Sequence, residues 1–328
     1  MDTVILTRRD IEKVLTPSVA NKAVYKAFKA YGLGQADMPA KSYLYFKKGD
    51  LRTMPGYVHG QGINIAGIKS VNVHPENHKK NLPTVMAIIV LTDPENGFPL
   101  AVMDGTYITN IRTGAAGALA VRLLASKNAA VAGFVGFGVQ ARSQLTCIME
   151  LRRLKRILVW KGNARWGGSA LSFCRWAEKT YGLKTQVSPD IDEVTSNVDI
   201  LITTTSSRTA LVNSVSPGTH INAIGADAMG KQEINPRILK GSKLVIDDWA
   251  QAPHSGEINV PLRKKQILKK DIYGTLGDIA IGKKQGRTTG EEITVFDSTG
   301  LAVQDMSCAF TAYKALKDKK GIKKISFF

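Results

Sequence analysis

The chain has 328 residues, of which 44% are hydrophobic, and a formal net charge of +18 at pH 7. This length exceeds what one ordinary domain needs, so the sequence predicts two domains. The longest apolar run, VMAIIVL at residues 85–91, has the length of a strand and is too short for a membrane span. Because the N-terminus mixes acids and bases without a secretory pattern, we expect a cytoplasmic protein.

The cysteines and the basic residues form no recognisable site. Cys147, Cys174 and Cys308 are far apart and odd in number, which indicates neither a disulfide framework nor a zinc site. The basic runs, such as RRLKR and RKKQILKK, are typical of solvated faces, and no nucleic-acid-binding motif accompanies them. We therefore expect no nucleic-acid or membrane partner. An intermediate interpretation is that the high positive charge attracts anionic substrates and cofactors.

The first third of the chain predicts a helix followed by strands. Thr16 and Pro17 fit an N-cap and a first helical position, and apolar residues at helical spacing continue to about Gly32. Short strands follow in KSYLYF, GINIAGIKSVNV and TVMAIIVLTD, and DPENGFPLAVMDG has the character of a hairpin. A long, alanine-rich helix is predicted over residues 109–125.

From Ala130 onward the pattern changes to short apolar strands that alternate with helices. The strands are VAGFV, RILVW, KTQV, VDILITTT, HINAIG, KLVIDD and ITVFD, with helices at residues 139–151 and 164–181. This alternation predicts an α/β fold with a parallel, doubly wound sheet. The last segment, residues 298–321, is predicted to be a helix that returns to the first domain.

A glycine-rich turn separates the first of these strands from its helix. Gly136, Gly138 and Ala141 fit the pattern G-x-G-x-x-A. Val139 and Gln140 lie between Gly138 and Ala141. The first glycine allows a tight turn, the second allows a pyrophosphate to approach the backbone, and the alanine allows close packing of helix on strand. The phosphates would bind at the helix N-terminus. The alternative is an ordinary glycine turn, but the strand–turn–helix context favours dinucleotide binding.

Several motifs in one order extend over nearly the whole chain. They include KSYLYF, GDLRTMPGY, GIKSVNVHPEN, MDGTYITNIRTGAAGALA, HINAIGADAMGKQEI, GEINV and EEITVFDSTGLAVQD. In these the chain resembles the ornithine cyclodeaminase/mu-crystallin family, and most closely its archaeal-type alanine dehydrogenase branch. The resemblance implies a homodimer with a Rossmann domain at residues 119–297 and a discontinuous α+β dimerisation and substrate domain at residues 1–118 and 298–328.

The resemblance also assigns residues to the substrate. Lys41, Lys69 and Arg112 match the cationic cluster that holds the substrate carboxylate in the family, a task that suits a bidentate arginine and lysines. The alternative for each is a surface ion pair, which the apolar surroundings of Lys69 and Arg112 disfavour. Arg52 stands where the cyclodeaminases, as we align them, have a glutamate, so it would repel the second ammonium group of ornithine and favour a smaller substrate.

Asp227 matches the family's acid/base near the reacting carbon. It follows a predicted strand, and the carboxyl ends of such strands face the ligand crevice. The alternative is an ordinary turn aspartate. The chain has Ala228 and Met229 where the family more often has Gly-Pro, a departure that affects the shape of this loop. His74 belongs to a family motif and is a candidate support of the site, while the remaining histidines are interpreted as structural or exposed. No cluster has metal-ligand spacing, so no metal is expected.

The segment after the second strand of the Rossmann domain predicts the choice of cofactor. An acidic residue there binds the ribose 2′-hydroxyl in NAD-type sites. This chain has Lys161, Asn163 and Arg165 instead, and no acid lies between residues 151 and 174. We therefore expect NADP, with NAD possible. The alternative is that these cations only face solvent. The cofactor site is also predicted to include Thr113, Thr204 and Ser298.

Together these features predict an NAD(P)-dependent oxidoreductase that acts on the carbon–nitrogen bond of a small amino acid, most simply alanine. In this hypothesis Asp227 handles protons, and Lys69 acts with a lowered pKa caused by burial and neighbouring cations. Two alternatives stay open. One is an ornithine cyclodeaminase or cyclic ketimine reductase, and the other is a mu-crystallin-like protein that binds nucleotide and ligand without turnover.

Overall fold

A computed structural model of the chain describes residues 2–162 and 169–327, without the side chain of His78. The chain divides into two compact units, Met1–Arg112 with Leu301–Phe328, and Thr113–Gly300. The predicted cofactor residues Asn163 and Arg165 lie outside the described residues. No helix in the described part is long and apolar enough to cross a membrane.

The elements follow one another in an order that changes character after the first third of the chain. The described strands are β1 (Thr3–Leu6), β2 (Ala36–Asp37), β3 (Ser42–Phe46), β4 (Gly49–Val58), β5 (Ile65–Val73), β6 (Val85–Thr92), β7 (Pro99–Asp104), β8 (Val131–Val135), β9 (Arg156–Trp160), β10 (Lys184–Ser188), β11 (Ile200–Thr203), β12 (His220–Ala223), β13 (Lys243–Ile246), β14 (Ile272–Thr275), β15 (Thr294–Asp297) and β16 (Lys323–Ile325). The described α-helices are α1 (Arg8–Glu12), α2 (Pro17–Gly32), α3 (Thr106–Leu124), α4 (Val139–Met149), α5 (Ala170–Tyr181), α6 (Ile191–Ser196), α7 (Pro236–Lys240), α8 (Ala252–Ser255), α9 (Asn259–Arg263), α10 (Leu276–Ala280) and α11 (Ala302–Leu316).

The first unit is a mixed sheet with helices α2 and α11 packed together against it. Its strand order is β16-β1-β7-β6-β5-β4-β2, and β3 also pairs with β4. Strands β4 to β7 form an antiparallel meander. Helix α2 begins as predicted, because the Thr16 hydroxyl accepts the N–H of Val19 and Pro17 occupies the first turn. A Cβ on Gly56 would lie 3.1 Å from the Cβ of Ala302, so glycine lets α11 lie close to the sheet.

The opposite face of this sheet is apolar and exposed in the described chain. Ile68 of β5 is 37% exposed and Ile88 of β6 is 55% exposed, and Leu44 and Phe46 of β3 are 58% and 45% exposed. Since successive residues of a strand point to opposite faces, the same strands also carry buried residues such as Val71. The sheet therefore has two apolar faces, one covered by helices and one open.

The second unit is an eight-stranded parallel sheet of order β10-β9-β8-β11-β12-β15-β13-β14. All of its neighbouring strands are parallel. The strand order reverses between β8 and β11, which lie side by side although β9 and β10 separate them along the chain. In open parallel sheets this reversal is where a nucleotide binds, at the carboxyl ends of the strands. The predicted α/β class with a doubly wound parallel sheet is thus confirmed.

Most predicted elements are present, and the differences have local causes. The helix predicted at residues 109–125 begins at Thr106, because the Asp104 carboxylate accepts the N–H groups of Thr106 and Tyr107 at 3.2 and 2.9 Å. The short strands β1 and β16 were not predicted. β16 lies in a lysine-rich run whose composition is typical of a solvated surface segment. In the structure it pairs antiparallel with β1 at the edge of the sheet.

Candidate functional site

Two buried cations of the first unit converge on one carboxylate. Lys69 Nζ lies 2.7 Å from Asp305 Oδ2, and Arg112 Nε lies 3.0 Å from Asp305 Oδ1. Arg112 also donates from Nη1 to Gln304 Oε1 at 3.0 Å. Lys69 and Asp305 are fully buried, and Arg112 is 6% exposed. We call Lys69, Arg112 and Asp305 the cationic cluster.

The pleat of the sheet and helix α11 place this cluster. Lys69 stands opposite Met54 in the β4–β5 ladder and shares its buried face, while Asp305 lies on the buried side of α11. A buried charge is costly unless it is paired and hydrogen-bonded. The bridging carboxylate of Asp305 meets this requirement for both cations. The sequence-based reasoning gave Asp305 no role, although an acid in the apolar helix segment GLAVQD was a usable signal.

Burial lowers the pKa of Lys69 to about 7, and the neighbouring charge of Arg112 acts in the same direction. The carboxylate of Asp305 opposes this shift through its charge and its hydrogen bond, and Lys41 adds a smaller lowering effect. Lys41 is therefore close enough for its charge to act on Lys69, and it is half-buried. The structure thus brings the three predicted carboxylate-binding residues, Lys41, Lys69 and Arg112, into one electrostatic environment.

Arg52 lies on the same sheet and has a carboxylate partner of its own. Its Nε donates to Asp50 Oδ1 at 2.6 Å, and its guanidinium lies 5.4 Å from the centre of the Tyr43 ring. Arg52 faces Val71, two positions from Lys69 along β5, so both side chains start from the same face. Lys69 and Arg112 share the single carboxylate of Asp305, so with all three groups ionised the cationic cluster carries a formal charge of one positive unit.

The glycine turn of the second unit fits a phosphate-binding loop residue by residue. Gly136 has φ +110°, and a Cβ there would lie 2.5 Å from Thr204 Oγ1, so both backbone and space require glycine. A Cβ on Gly138 would meet nothing within 4 Å, which leaves its backbone open to a ligand at the start of α4. Ala141 is fully buried, as close packing of α4 on the sheet requires. Val139 is 60% exposed and Gln140 half-buried.

Two buried hydroxyl groups at the carboxyl edge of the parallel sheet have no hydrogen-bond partner within the described residues. The N–H of Thr204 donates to Val135 O at 2.9 Å, which places this residue beside the glycine turn. The hydroxyl oxygens of Thr204 and Ser298 are buried and have no hydrogen-bond partner in the described part of the chain. A buried hydroxyl normally has a partner, so these two fit contacts with a dinucleotide. Thr113 is 7% exposed, and its carbonyl oxygen accepts a hydrogen bond from Gln144.

Asp227 lies on the loop that follows β12, at the carboxyl edge of the parallel sheet. Its carboxylate forms an ion pair with Lys231, and its side chain is 37% exposed. The N–H of Gly230 donates to Asn259 Oδ1 at 2.9 Å, which anchors the end of this loop. Met229, in the position that departs from the family pattern, is 55% exposed. Lys231 was not assigned a role from the sequence.

The remaining predicted residues occupy different environments. Lys161 is exposed at the end of β9, and its backbone N–H donates to Ser188 O at 2.7 Å. His220 is fully buried, where desolvation lowers its pKa to about 3, and its ring contacts Thr294 and Asn222. It is therefore a neutral structural residue. His74 stacks on Phe46 with ring centres 6.0 Å apart. Within the described residues, no group of three or more His, Cys, Asp or Glu could hold a metal ion.

Comparison with known proteins identifies the family of the chain. The sequence profile of the ornithine cyclodeaminase/mu-crystallin family matches residues 1–320. An alanine dehydrogenase from Archaeoglobus fulgidus is 46% identical over 330 residues, covering 100% of this chain and 99% of that protein. An archaeal alanine dehydrogenase dimer solved with bound NAD aligns with a TM-score of 0.94 and 46% identity, covering all of both chains. Delta(1)-pyrroline-2-carboxylate reductase from Thermococcus litoralis, solved with NADH and L-proline, gives a TM-score of 0.93 and 34% identity, covering 98% of this chain and 100% of that one. The chain belongs to the ornithine cyclodeaminase/mu-crystallin family.

Proposed function

We propose that this protein is a nicotinamide-dependent oxidoreductase of the carbon–nitrogen bond that interconverts a small amino acid with its 2-oxo acid and ammonia, as an alanine dehydrogenase does. For alanine, the amino acid, the oxidised cofactor and water give pyruvate, ammonium, the reduced cofactor and a proton. The observation that carries this proposal is the buried cationic cluster, whose excess positive charge suits a small carboxylate. The 46% identity to an alanine dehydrogenase over the whole chain supports the same substrate class.

Each proposed role follows from the environment of the residue. Lys69 and Arg112 bind the substrate carboxylate, and Lys41 and Arg52 contribute positive charge. With a pKa of about 7, Lys69 populates both its charged and its neutral form near neutral pH, so it can hold the carboxylate or exchange a proton. Asp227 is accessible enough to exchange protons with the reacting nitrogen or with water. The nicotinamide, when bound, supplies or accepts the hydride.

The cofactor residues are proposed from the second unit alone. Gly136, Gly138, Val139, Gln140 and Ala141 would form the pyrophosphate loop at the start of α4. The hydroxyl groups of Thr204 and Ser298, which have no hydrogen-bond partner in the described part of the chain, would contact the rest of the dinucleotide. This assignment needs no ligand other than a nicotinamide dinucleotide.

We propose further that this chain prefers NADP to NAD. The support is the absence of any acid between residues 151 and 174, together with an exposed Lys161 at the end of β9. The solved relatives contain NAD and NADH, so a preference for NADP would be a property of this chain's own loop. The test is kcat/KM for NADPH and NADH in the wild type and in Lys161→Asp. The proposal requires that the wild type favours NADPH and that the variant moves toward NADH. A wild type that favours NADH would overturn it.

We also propose that the protein is a homodimer. The first sheet exposes an apolar face that includes Ile68 and Ile88, and exposed apolar faces often mark protein interfaces. A related alanine dehydrogenase is a dimer. Sedimentation equilibrium should give twice the chain mass for the wild type. Ile88→Asp should shift the protein toward monomer, while Leu82→Asp, an exposed residue outside the strands, should not. A monomeric wild type would contradict the proposal.

A cyclic imine reductase is the second candidate, because a relative that is 34% identical binds NADH and L-proline. A panel of substrates separates the candidates. It comprises pyruvate with ammonium, pyrroline-2-carboxylate, L-alanine and L-ornithine, each with both forms of the cofactor. The proposal expects turnover of pyruvate and alanine, and a weak response to ornithine because of Arg52. Faster turnover of pyrroline-2-carboxylate would favour the second candidate, and cofactor binding without any turnover would indicate a binding protein.

A further inference from the structure

The carboxylate of Glu233 joins two loops at the carboxyl ends of neighbouring strands. Oε1 accepts the N–H of Thr205 at 2.6 Å, and Oε2 accepts the N–H of Gly225 at 3.0 Å. Thr205 lies two residues beyond the end of β11, and Gly225 lies two residues beyond the end of β12. These strands are adjacent and parallel. One fully buried side chain therefore fixes equivalent positions of both loops.

We call the two hydrogen bonds that Glu233 accepts from Thr205 and Gly225 the clamp. The contact with Gly225 leaves no room for a side chain. A Cβ on Gly225 would lie 2.6 Å from the carboxyl carbon of Glu233, so glycine is needed for this approach. Burial raises the pKa of Glu233 to about 7, and the N–H groups of Thr205 and Gly225 oppose this shift because they stabilise the ionised form. Hydrogen bonds from N–H groups to that ionised form are stronger than those between neutral groups. The two contacts therefore resist separation of the loops more than a pair of apolar side chains would.

Glu233 is held by a second buried carboxyl group, that of Glu257, which is held in turn by a third, that of Asp297. The Glu257 carboxylate accepts the N–H groups of Glu233 and Ile234 at 2.9 and 2.7 Å. The Asp297 carboxylate accepts the N–H groups of Glu257 and Ile258 at 2.8 and 3.2 Å. Asp297 is the last residue of β15. We call Glu233, Glu257 and Asp297 the carboxylate array, and all three are fully buried.

Burying three carboxyl groups is costly, and burial accordingly raises the pKa of Glu233 and of Glu257 above their usual values. Apolar residues of similar shape can stabilise a fold equally well. A geometric task explains their presence better than stability does. Thr204, whose hydroxyl faces the glycine turn, adjoins the clamped N–H of Thr205. Asp227 follows the clamped N–H of Gly225 by two residues, and its own N–H bonds to Gly225 O at 3.0 Å. The clamp therefore fixes the backbone next to Thr204 and the backbone that supports Asp227.

We propose that Glu233 is a positioning residue that holds the cofactor-binding Thr204 and the proton-transferring Asp227 at a fixed separation, with Glu257 and Asp297 as its anchor. The relevance of this separation to catalysis rests on the function proposed above. A misplacement of about 1 Å in a reacting group costs about 100-fold in rate. Loss of the clamp should therefore lower kcat and leave the carboxylate-binding cations of the first unit unaffected.

The test uses Glu233→Gln in the full-length protein. Glutamine has the same shape, but its amide NH₂ faces one of the two N–H donors, so only one of the two contacts survives. The matched control is Glu292→Gln, which removes a carboxylate that accepts a backbone N–H and pairs with Lys243 at the opposite ends of the strands. Folding is checked by the thermal midpoint, and cofactor affinity by the fluorescence of bound NADPH or NADH.

We expect Glu233→Gln to lower kcat by about 10- to 100-fold and to leave KM for the 2-oxo acid within about threefold, while the control keeps kcat. In an Asp227→Asn background the same change should have little further effect on kcat, because the clamp acts through Asp227. An unchanged kcat in the folded single variant, or full additivity in the double variant, would overturn the proposal.

Hydrogen exchange separates this proposal from the proposed function. In Glu233→Gln, the amides of peptides that cover residues 203–206 and 223–228 should exchange at least about tenfold faster than in the wild type. If the wild type converts no substrate of the panel, the proposed function fails but this measurement still reports on the clamp. Unchanged exchange in both peptides would show that Glu233 does not hold the loops, whatever the enzyme does.

Discussion

The ionisation of Lys69 gives the sharpest prediction for substrate binding. Its pKa of about 7 results mainly from burial and from Arg112, with Asp305 opposing. A bound carboxylate favours the charged form of Lys69, so binding must weaken as the pH rises past 7 and the lysine loses its proton. A hydrogen bond to a charged group contributes about 1.5–3 kcal/mol. This corresponds to a loss of about 10- to 100-fold in affinity.

The assay is competitive inhibition by propanoate, the analogue of alanine without its amino group. The inhibition constant should be lowest near pH 6, where propanoate is ionised and Lys69 is mostly protonated, rise by up to tenfold per pH unit above 7, and level off at high pH. Lys69→Arg should therefore remove the pH dependence while keeping tight binding, because an arginine does not titrate here.

Lys69→Met serves as the second variant, since arginine changes the shape of the buried site. It should bind propanoate weakly at every pH, at the level that the wild type reaches in alkali. An inhibition constant of the wild type that stays flat from pH 6 to 9 would refute the assignment of Lys69 to the carboxylate. The same result would follow if the lysine were only a structural partner of Asp305.

Three further predictions concern other parts of the two sites. Gly138→Val should fold normally and lose cofactor affinity, since its Cβ points into open space, whereas Gly136→Val should lower the thermal midpoint because of its positive φ; equal effects of the two on folding would contradict the loop assignment. Asp227→Asn should lower kcat by about 10²–10⁴-fold with unchanged cofactor affinity, and near-normal turnover would remove Asp227 from the mechanism. Asp305→Asn should destabilise the fold by about 3–5 kcal/mol, because two buried cations lose their partner, while Asp50→Asn should have a smaller effect; calorimetry showing equal effects would mean that the bridge does not matter.

The cofactor loop could be predicted from sequence because its requirements are local. The turn at Gly136, the open position at Gly138 and the close packing at Ala141 depend on residues within one strand, one turn and one helix. The substrate cations were recognisable for a related reason. Lys69 and Arg112 interrupt apolar patterns, and a charge in such a place needs a special environment.

The partners of those residues could not be predicted in the same way. Asp305 is 236 residues from Lys69 in the chain, and only the packing of α11 on the sheet brings them together. The clamp at Glu233 likewise depends on which strands are neighbours, since Thr205 and Gly225 belong to different loops. Periodicity reports which face a residue occupies, but it does not identify the group that the residue meets across the fold.

The most direct test of the central claim follows the hydride itself. The enzyme is incubated with pyruvate, ammonium and reduced cofactor in which both hydrogens on C4 of the nicotinamide are replaced by deuterium. The alanine is then analysed by mass spectrometry and proton NMR. The account predicts L-alanine with one deuterium at Cα, in an amount equal to the cofactor oxidised. Alanine without deuterium at Cα, or no alanine from an enzyme that still binds the cofactor, would contradict it.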